Sequence, residues 1–338
     1  MDFALVNEFD PTLEAEWDAL LDESITHVPF LRYEYLRAWW QTRGGGEWQQ
    51  DAKLLLVTAR NAGKLVGAAP LFWTPDYAGT PALLLVGAVE ISDYLDVLSR
   101  PADLPNFAQG LLAFLVSADL PEWKTLQFHN LLNTSPALAA LQSAAEQRGW
   151  QVQSEVLQHS PYIPLPGDFE IYLAAIDKKQ RHEVRRKMHR LEESGVPFRW
   201  YVVSDASALD AEVDDFMRLM ATDPQKESFL TPQMREHMHL VCRCAFEAGC
   251  LHLAFLEIEG QKAAGYLSFD YLNRLWVYNS GLDRAFTKYS PGWVLLGYLL
   301  QWANENKRSE FDFMRGDEDY KYRFGAVDRL VMRLGMQP

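Results

Sequence analysis

Residues 274–325 read RLWVYNSGLDRAFTKYSPGWVLLGYLLQWANENKRSEFDFMRGDEDYKYRFG, and this stretch decides the fold. Leu275–Asn279 alternates apolar residues with β-formers, which predicts a strand. Asn279-Ser280-Gly281 interrupts the alternation, so we expect a bulge or a splayed strand end there. Ser290-Pro291-Gly292 begins a helix, since serine is a good N-cap and proline suits the first helical position. Phe311–Met314 predicts a second strand, which completes one βαβ unit.

The start of this helix is a candidate anion site. The helix, Trp293 to about Asn304, is apolar on nearly all sides and is expected to be buried. Its first N–H groups and the positive end of its dipole lie beside a strand end, which favours an anionic ligand. Many βαβ crossovers bind nothing, so the order of elements alone leaves both interpretations open. The dense polar cluster at 315–323, between two aromatic runs, favours a site.

Composition and charge limit the class of protein. The chain has 338 residues, 48% of them hydrophobic, and a net charge of −14. This length predicts two domains or one large one, and the charge argues against broad binding to nucleic acid or anionic membranes. The N-terminus lacks the pattern of a signal peptide, and no apolar run approaches the length of a membrane span. We therefore expect a cytoplasmic protein without a membrane span.

The cysteines favour the same compartment. There are three of them, too few for a disulfide framework: Cys242, Cys244 and Cys250. Three histidines lie near them in the sequence: His237, His239 and His252. Because a Cys-x-Cys pair on a helix directs its thiols to different sides, we expect core cysteines in a reducing compartment, surface histidines and no metal site.

A proline-rich connector divides the chain. Pro161–Pro166 holds three prolines in six residues, which indicates an extended segment. We place the domain boundary there, with an N-terminal domain at 1–160 and a C-terminal domain at 161–338.

A basic helix follows the connector. Asp168–Ser194 has one apolar stripe and predicts a single long helix that ends at Gly195. Its other face carries seven cations in 13 residues, opposed only by Glu183: Lys178, Lys179, Arg181, Arg185, Arg186, Lys187 and Arg190. This face is either an anion-binding patch, with Arg181 and Arg185 as substrate-binding candidates, or a solvated face favoured by the helix dipole.

The two halves of the chain repeat one pattern. Leu54–Ala69 and Leu253–Tyr266 both predict hairpins, and the short segments Leu126–Phe128 and Phe311–Phe313 each follow a helix. The order helix, helix, hairpin, strand, helix, strand therefore occurs twice. This order predicts a duplicated α/β domain.

Several sequence blocks resemble the GNAT acyltransferase superfamily. They are Gly281-Leu282-Asp283, Tyr289-Ser290-Pro291-Gly292, Phe311-Asp312-Phe313, Arg315-Gly316-Asp317-Glu318 and Tyr320-Lys321, in this order and spacing. The resemblance is to the branch of CelD-like (cellulose-biosynthesis-type) acetyltransferases and, more distantly, to the FemABX peptidyltransferases. It extends upstream to about Pro161 and more weakly over the N-terminal half. It implies an α/β (α+β) fold of tandem duplicated GNAT-like domains, each a mixed central sheet flanked by helices, with a donor site only in the second copy.

The resemblance also implies an activity, the transfer of an acyl group such as acetyl from acyl-CoA to an amine or hydroxyl. Such a site needs amide donors for a pyrophosphate, a donor for the thioester oxyanion, and a base and an acid. Backbone groups at 279–281 are the candidate oxyanion donors. The candidates for binding the acyl-CoA are Arg284, Lys288, Tyr289, Ser290, Gly292 and Trp293. The candidate catalytic residues are Asp317, Glu318, Tyr278, Tyr320 and Lys321, and Arg315 is a third substrate-binding candidate.

Two features leave alternatives open. Gly292 stands alone where the family usually has two or more glycines, so the donor is acyl-CoA, an acyl carrier protein or aminoacyl-tRNA. The charges of Arg315 and Lys321 mean that the 315–323 cluster is either a base-bearing site or a structural ion network. The rival functions are a FemABX-like aminoacyl-tRNA-dependent peptidyltransferase and a non-catalytic binding protein on a degenerate GNAT fold. The resemblance suggests an acceptor on a polysaccharide or envelope precursor, and it leaves a homo-oligomer open.

Overall fold

The computed structural model describes residues 1–338, which form two compact units. The first unit comprises 1–158 and 329–338, and the second comprises 159–328. Each unit contains a mixed sheet with flanking helices, which confirms the predicted fold class. No helix in the structure combines the length and apolar character needed to cross a bilayer.

The helices and strands are numbered in chain order. The strands are β1 (Asp2–Val6), β2 (Lys53–Asn61), β3 (Lys64–Tyr77), β4 (Thr80–Leu85), β5 (Leu98–Ser99), β6 (Thr125–Leu132), β7 (Gln151–His159), β8 (Tyr162–Pro164), β9 (Phe198–Val202), β10 (Leu251–Ile258), β11 (Gln261–Tyr271), β12 (Arg274–Leu282), β13 (Glu310–Asp312) and β14 (Leu330–Gln337). The α-helices are α1 (Pro11–Asp22), α2 (Tyr33–Gly46), α3 (Leu104–Ser117), α4 (Pro136–Glu146), α5 (Phe169–Ala175), α6 (Lys178–Glu192), α7 (Leu209–Met220), α8 (Pro224–Phe229), α9 (Pro232–Glu247), α10 (Pro291–Glu305) and α11 (Asp319–Arg323). Two 3₁₀ helices lie at Pro29–Leu31 and Arg284–Tyr289.

The sheet of the first unit has the order β1-β2-β3-β4-β6-β14-β7, and β5 pairs with β3. β4 and β6 are parallel neighbours over only three residues each. The predicted second domain, 161–338, differs from the structure at its C-terminal end, because β14 pairs with β6 of the first sheet. This pairing places Val331, Leu334 and Met336 in the apolar core of the first unit.

The sheet of the second unit has the order β8-β13-β12-β11-β10-β9. Successive residues of β11 face opposite sides, as the strand period requires. Gly265 faces Phe216 of α7, whereas Ala264 and Tyr266 join the apolar core that contains α10. The strand β11 is therefore held between α7 on one face of the sheet and α10 on the other.

The prediction of one long helix over 168–194 is wrong. The structure has two helices, α5 and α6, with Ile176 in an extended conformation between them. Asp177 causes the break, because its carboxylate accepts hydrogen bonds from the backbone N–H groups of Lys179 and Gln180 and so caps a new helix. Val184, Met188 and Leu191 of α6 still face the core, as the apolar stripe predicted.

Candidate functional site

The candidate site lies where β12 and β13 diverge. The two parallel strands pair only over Arg274–Trp276 and Glu310–Asp312, and beyond Trp276 β12 pairs with β11 alone. The β11 register shifts where Asn279 and Val277 face consecutive residues, so Tyr278 is the extra residue of a bulge. The interruption predicted at 279–281 therefore takes the form of a bulge at 278 and a divergence from β13. One edge of residues 279–282 faces this opening.

Lys226 of α8 reaches that edge, although it was not among the predicted site residues. Its ammonium donates to Oδ1 of Asn279, at 2.9 Å, and to the carbonyl of Ser280. The N–H of Ser280 donates to the same Asn279 Oδ1 atom, at 2.8 Å. The backbone groups predicted as oxyanion donors thus already have a partner at Ser280, and a cation lies beside them. Burial lowers the pKa of Lys226, while the charges of Asp223 and Glu318 oppose the shift.

The signal for Lys226 in the sequence was the Asp223-Pro224 pair, which starts a short helix. Asp223 accepts hydrogen bonds from the N–H groups of Gln225 and Lys226, and Pro224 occupies the first turn. This cap fixes the backbone of Lys226. Nothing in the local sequence shows that the capped turn lies against β12, because that contact spans more than 50 residues.

The start of α10 presents two backbone donors. Pro291 has no N–H, so the amides of Gly292 and Trp293 are the first-turn donors that the helix itself leaves without an acceptor. Ser290 does occupy the N-cap position, but it has a left-handed backbone conformation and its side chain does not cap the helix. A Cβ atom on Gly292 would lie 3.5 Å from Leu282, which is an ordinary contact, so packing does not require a glycine here. The absence of a side chain leaves the backbone at this position open to a ligand.

Cations of α6 surround this helix start. Arg190 donates to the carbonyl of Lys288 and, at 3.3 Å, to the hydroxyl of Ser290. The ammonium of Lys187 lies 3.9 Å from the ring centre of Trp293. Lys187 and Arg190 were predicted only as part of a basic face, because the contact between α6 and the α10 start joins residues about 100 positions apart in the chain. With Lys288, whose ammonium lies over the ring of Tyr289, they place three cations beside the α10 start, of which Lys187 also pairs with Glu183 at 3.3 Å.

Arg284 is placed differently from the other predicted donor-binding residues. It lines a small cavity of about 140 Å³ together with Lys226, Asp223, Thr222 and residues 280–282 of β12. The predicted set therefore divides into the α10 start and this cavity.

The candidate catalytic residues after β13 have contrasting surroundings. Asp317 and Glu318 are exposed. Lys321 is 3% exposed and donates to the carbonyls of Arg315 and Gly316, at 2.8 and 2.9 Å, and it forms a 2.9 Å ion pair with Glu318. These bonds favour the structural alternative for Lys321, since its three N–H groups are directed at the loop it follows.

The two tyrosines of the candidate set are held by contacts with other aromatic rings. Tyr320 packs edge-on against Phe313, with ring centres 6.0 Å apart, and Tyr278 contacts the ring of Phe269. Burial raises the pKa of Tyr320 well above its ordinary value, and it does the same for Tyr266, whose hydroxyl donates to the carbonyl of Gly292. Tyr320 is therefore a protonated hydroxyl at neutral pH.

The three substrate-binding candidates already make contacts within the second unit. Arg181 donates to the carbonyls of Leu173 and Ala174 at the end of α5, and Arg185 pairs with Glu170. The carbonyl of Arg315 accepts from Lys321. Glu170 was not expected to oppose the basic face, because the sequence placed it on the same helix and not on a separate one packed alongside.

The cysteines and histidines near residue 240 do not converge, and the structure holds no group of three His, Cys, Asp or Glu side chains arranged to bind a metal ion. Cys242 and Cys250 are buried. Of the predicted surface histidines, His237 and His252 are buried instead, at 1% and 3% exposure. They are buried because they lie on the faces of α9 and β10 that pack inside the unit.

Comparison with known proteins identifies the class of the second unit. Residues 178–322 match the family model of the acetyltransferase (GNAT) domain. The match is confined to this segment of the second unit, and it supports the resemblance to the GNAT superfamily that the sequence blocks predicted. No curated protein matches the sequence.

Solved structures share the fold over the whole chain. FemX is 11% identical, with 98% of this chain and 97% of that chain covered and a TM-score of 0.67. A conserved protein of unknown function from Bacteroides thetaiotaomicron VPI-5482 is 13% identical, with 99% and 100% covered and a TM-score of 0.64. L-PGS from Bacillus licheniformis is 14% identical, with 97% and 92% covered and a TM-score of 0.59. At these identities the likeness concerns the fold alone.

Proposed function

We propose that this chain is a cytoplasmic acyltransferase that moves an acyl group, such as acetyl, from acyl-CoA to an amine or hydroxyl acceptor. The observation that carries the proposal is the α10 start. The amides of Gly292 and Trp293, with Lys187, Arg190 and Lys288 around them, form an anion site suited to a pyrophosphate. Free cysteines fit the compartment, and the family suggests an acceptor on a polysaccharide or envelope precursor.

The residues at the opening supply the acid and the base. The acceptor nitrogen or oxygen attacks the thioester carbon, and the carboxylate of Asp317 or Glu318 takes its proton. The carbon–sulfur bond breaks, and Tyr320 or Tyr278 gives a proton to the leaving thiolate. Because burial raises the pKa of Tyr320, its hydroxyl is protonated at neutral pH and has a proton to donate. Lys321 supports the loop that carries both carboxylates.

A second candidate donor is aminoacyl-tRNA. The likeness of fold to FemX over 98% of the chain favours it, and so does the basic face of α6, which ends at the α10 start. The net charge of −14 argues against it. Phosphate contacts by several cations would make such binding strongly dependent on salt concentration.

Thermal unfolding with millimolar acetyl-CoA tests the proposal. A ligand present at about 100 times its dissociation constant raises the free energy of unfolding by roughly 2.7 kcal/mol. For a unit of this size, this corresponds to an increase in Tm of about 5–11 °C. We expect wild type and Arg186→Met to show the shift and Arg190→Met to lose most of it. Arg186 is the matched control because it pairs with Glu183 one turn away from the α10 contact.

The other outcomes each select an alternative. An equal shift in all three proteins would place acetyl-CoA elsewhere and refute the assignment of the α10 start. No shift with acetyl-CoA, together with salt-dependent binding of aminoacyl-tRNA, would select the second candidate. Binding of acetyl-CoA without thiol release across a panel of amine and hydroxyl acceptors would favour the non-catalytic binding protein.

A further inference from the structure

The cavity at the open edge of β12 has an uncompensated positive charge. Two of its lining residues are Lys226 and Arg284. The ammonium of Lys226 contacts only neutral oxygens, those of Asn279 and Ser280, and forms no ion pair. Arg284 is exposed and makes neither a hydrogen bond nor an ion pair through its side chain.

The one acidic residue that lines the cavity does not neutralise these cations by contact. The carboxylate of Asp223 accepts hydrogen bonds from the N–H groups of Gln225 and Lys226 at the start of α8. It influences the Lys226 ammonium only through space, as Glu318 does. A half-buried ammonium with neutral partners alone is stabilised by an anion that reaches it.

The unused donors of the two side chains match a small oxyanion. A lysine ammonium has three N–H donors, and Lys226 uses two of them on Asn279 and Ser280. Its third donor and the whole guanidinium fork of Arg284 are available, so an incoming carboxylate displaces no existing bond. The cavity volume of about 140 Å³ is well below the roughly 300–1,000 Å³ of sites for whole ligands. It therefore holds the end group of a larger molecule.

We propose that this cavity binds the carboxylate of the acceptor, with Lys226 and Arg284 as its partners, so that the acceptor is a carboxylate-bearing amine or hydroxyl compound such as an amino acid or a uronic acid. The inference rests on the proposed function for the identification of the ligand as the acceptor. The cavity adjoins residues 280–282, two residues beyond the bulge at Tyr278, and so lies beside the transfer centre. The phosphates of the donor have a separate site at the α10 start.

Weak-ligand NMR tests the cavity without knowledge of the reaction. Saturation-transfer measurements use acetate as the probe and acetamide as its neutral counterpart, at constant ionic strength. We expect saturable acetate binding in wild type and none of acetamide. Lys226→Met and Arg284→Met should weaken acetate roughly ten- to hundredfold, the equivalent of one charge-assisted hydrogen bond.

Two controls keep the result specific. Lys179→Met removes an exposed cation of α6 and should leave acetate binding unchanged. Arg284→Met removes a side chain without partners, so its folding is not at risk even if Lys226→Met unfolds. Equal acetate binding in wild type and Arg284→Met would overturn the proposal. So would competition between acetate and coenzyme A, because the cavity would then belong to the phosphates of the donor.

The result is separable from the donor assignment. Acetate binding without any shift by acetyl-CoA would keep the carboxylate subsite and refute the acyl-CoA donor. An acetyl-CoA shift that requires Arg190, without acetate binding, would keep the donor site and refute the carboxylate subsite.

Discussion

Replacing Lys321 with methionine should destabilise the second unit strongly, whatever it does to activity. Lys321 is buried beneath the loop between β13 and α11, and its ammonium donates hydrogen bonds to the carbonyls of Arg315 and Gly316. Methionine has a similar length but donates no hydrogen bond. The variant would leave these carbonyls without their charged partner and Glu318 without its counter-ion.

The structure gives the scale of the effect. Each hydrogen bond from a charged group contributes about 1.5–3 kcal/mol, and removal of one partner of a buried ionic contact costs about 3–5 kcal/mol. The side chain of Glu318 is 58% exposed, so water compensates much of the loss at that end. We therefore expect a loss of about 3–5 kcal/mol, which lowers the Tm by roughly 6–20 °C.

Differential scanning calorimetry of Lys321→Met beside Glu318→Gln measures this effect. The glutamine variant removes only the exposed partner and should cost less than about 1 kcal/mol. If Lys321→Met unfolds within 1–2 °C of wild type (about the effect of a surface change), the structural role of Lys321 is refuted. A loss of turnover without a loss of stability would return Lys321 to the catalytic residues.

Three further predictions concern packing and pH. Gly281→Ala should lower the free energy of unfolding by about 3 kcal/mol or unfold the unit, because the new Cβ would lie 2.5 Å from the backbone nitrogen of Met220. In the same urea titration, Gly292→Ala should be nearly neutral. Lys187→Met should cost about 1–2 kcal/mol and change the tryptophan fluorescence, because the half-buried ammonium leaves the ring of Trp293; unchanged stability and emission would contradict that contact. Burial lowers the pKa of His237 and His252 to about 4, so the unfolded chain binds more protons below pH 6.5. The unit should thus lose about 2 kcal/mol per histidine between pH 7.5 and 5, and equal urea midpoints at both pH values would refute this.

The elements with a clear local period could be predicted from the sequence, and those fixed by distant contacts could not. The β10–β11 hairpin and α10 follow from alternation, turn residues and an apolar helix. The break at Asp177 was hidden because the apolar stripe of α5 continues in phase on α6. β14 was missed because its partner, β6, lies about 200 residues earlier in the chain.

The candidate site shows the same division. The divergence of β12 and the α10 start were predicted from Asn279–Gly281 and Ser290–Gly292, whose backbone demands are local. Lys226 and Arg190 act on these segments from other helices, over separations of 54 and 98 residues. The local sequence cannot identify such residues, because a lysine or arginine that contacts a site and one on a solvated helix face occur in the same kind of sequence.

The position of β14 between β6 and β7 affects how the chain is made. During synthesis the first unit emerges early, yet β6 and β7 must wait for residues 330–337 before the gap between them is filled. Meanwhile both strands present unpaired edges, a hazard for aggregation that chaperones commonly shield. The second unit, by contrast, has all its strands once residue 328 has emerged. The nascent chain can therefore complete its later unit before its earlier one, and a premature stop codon between the codons for residues 328 and 337 would disrupt the unit that is translated first.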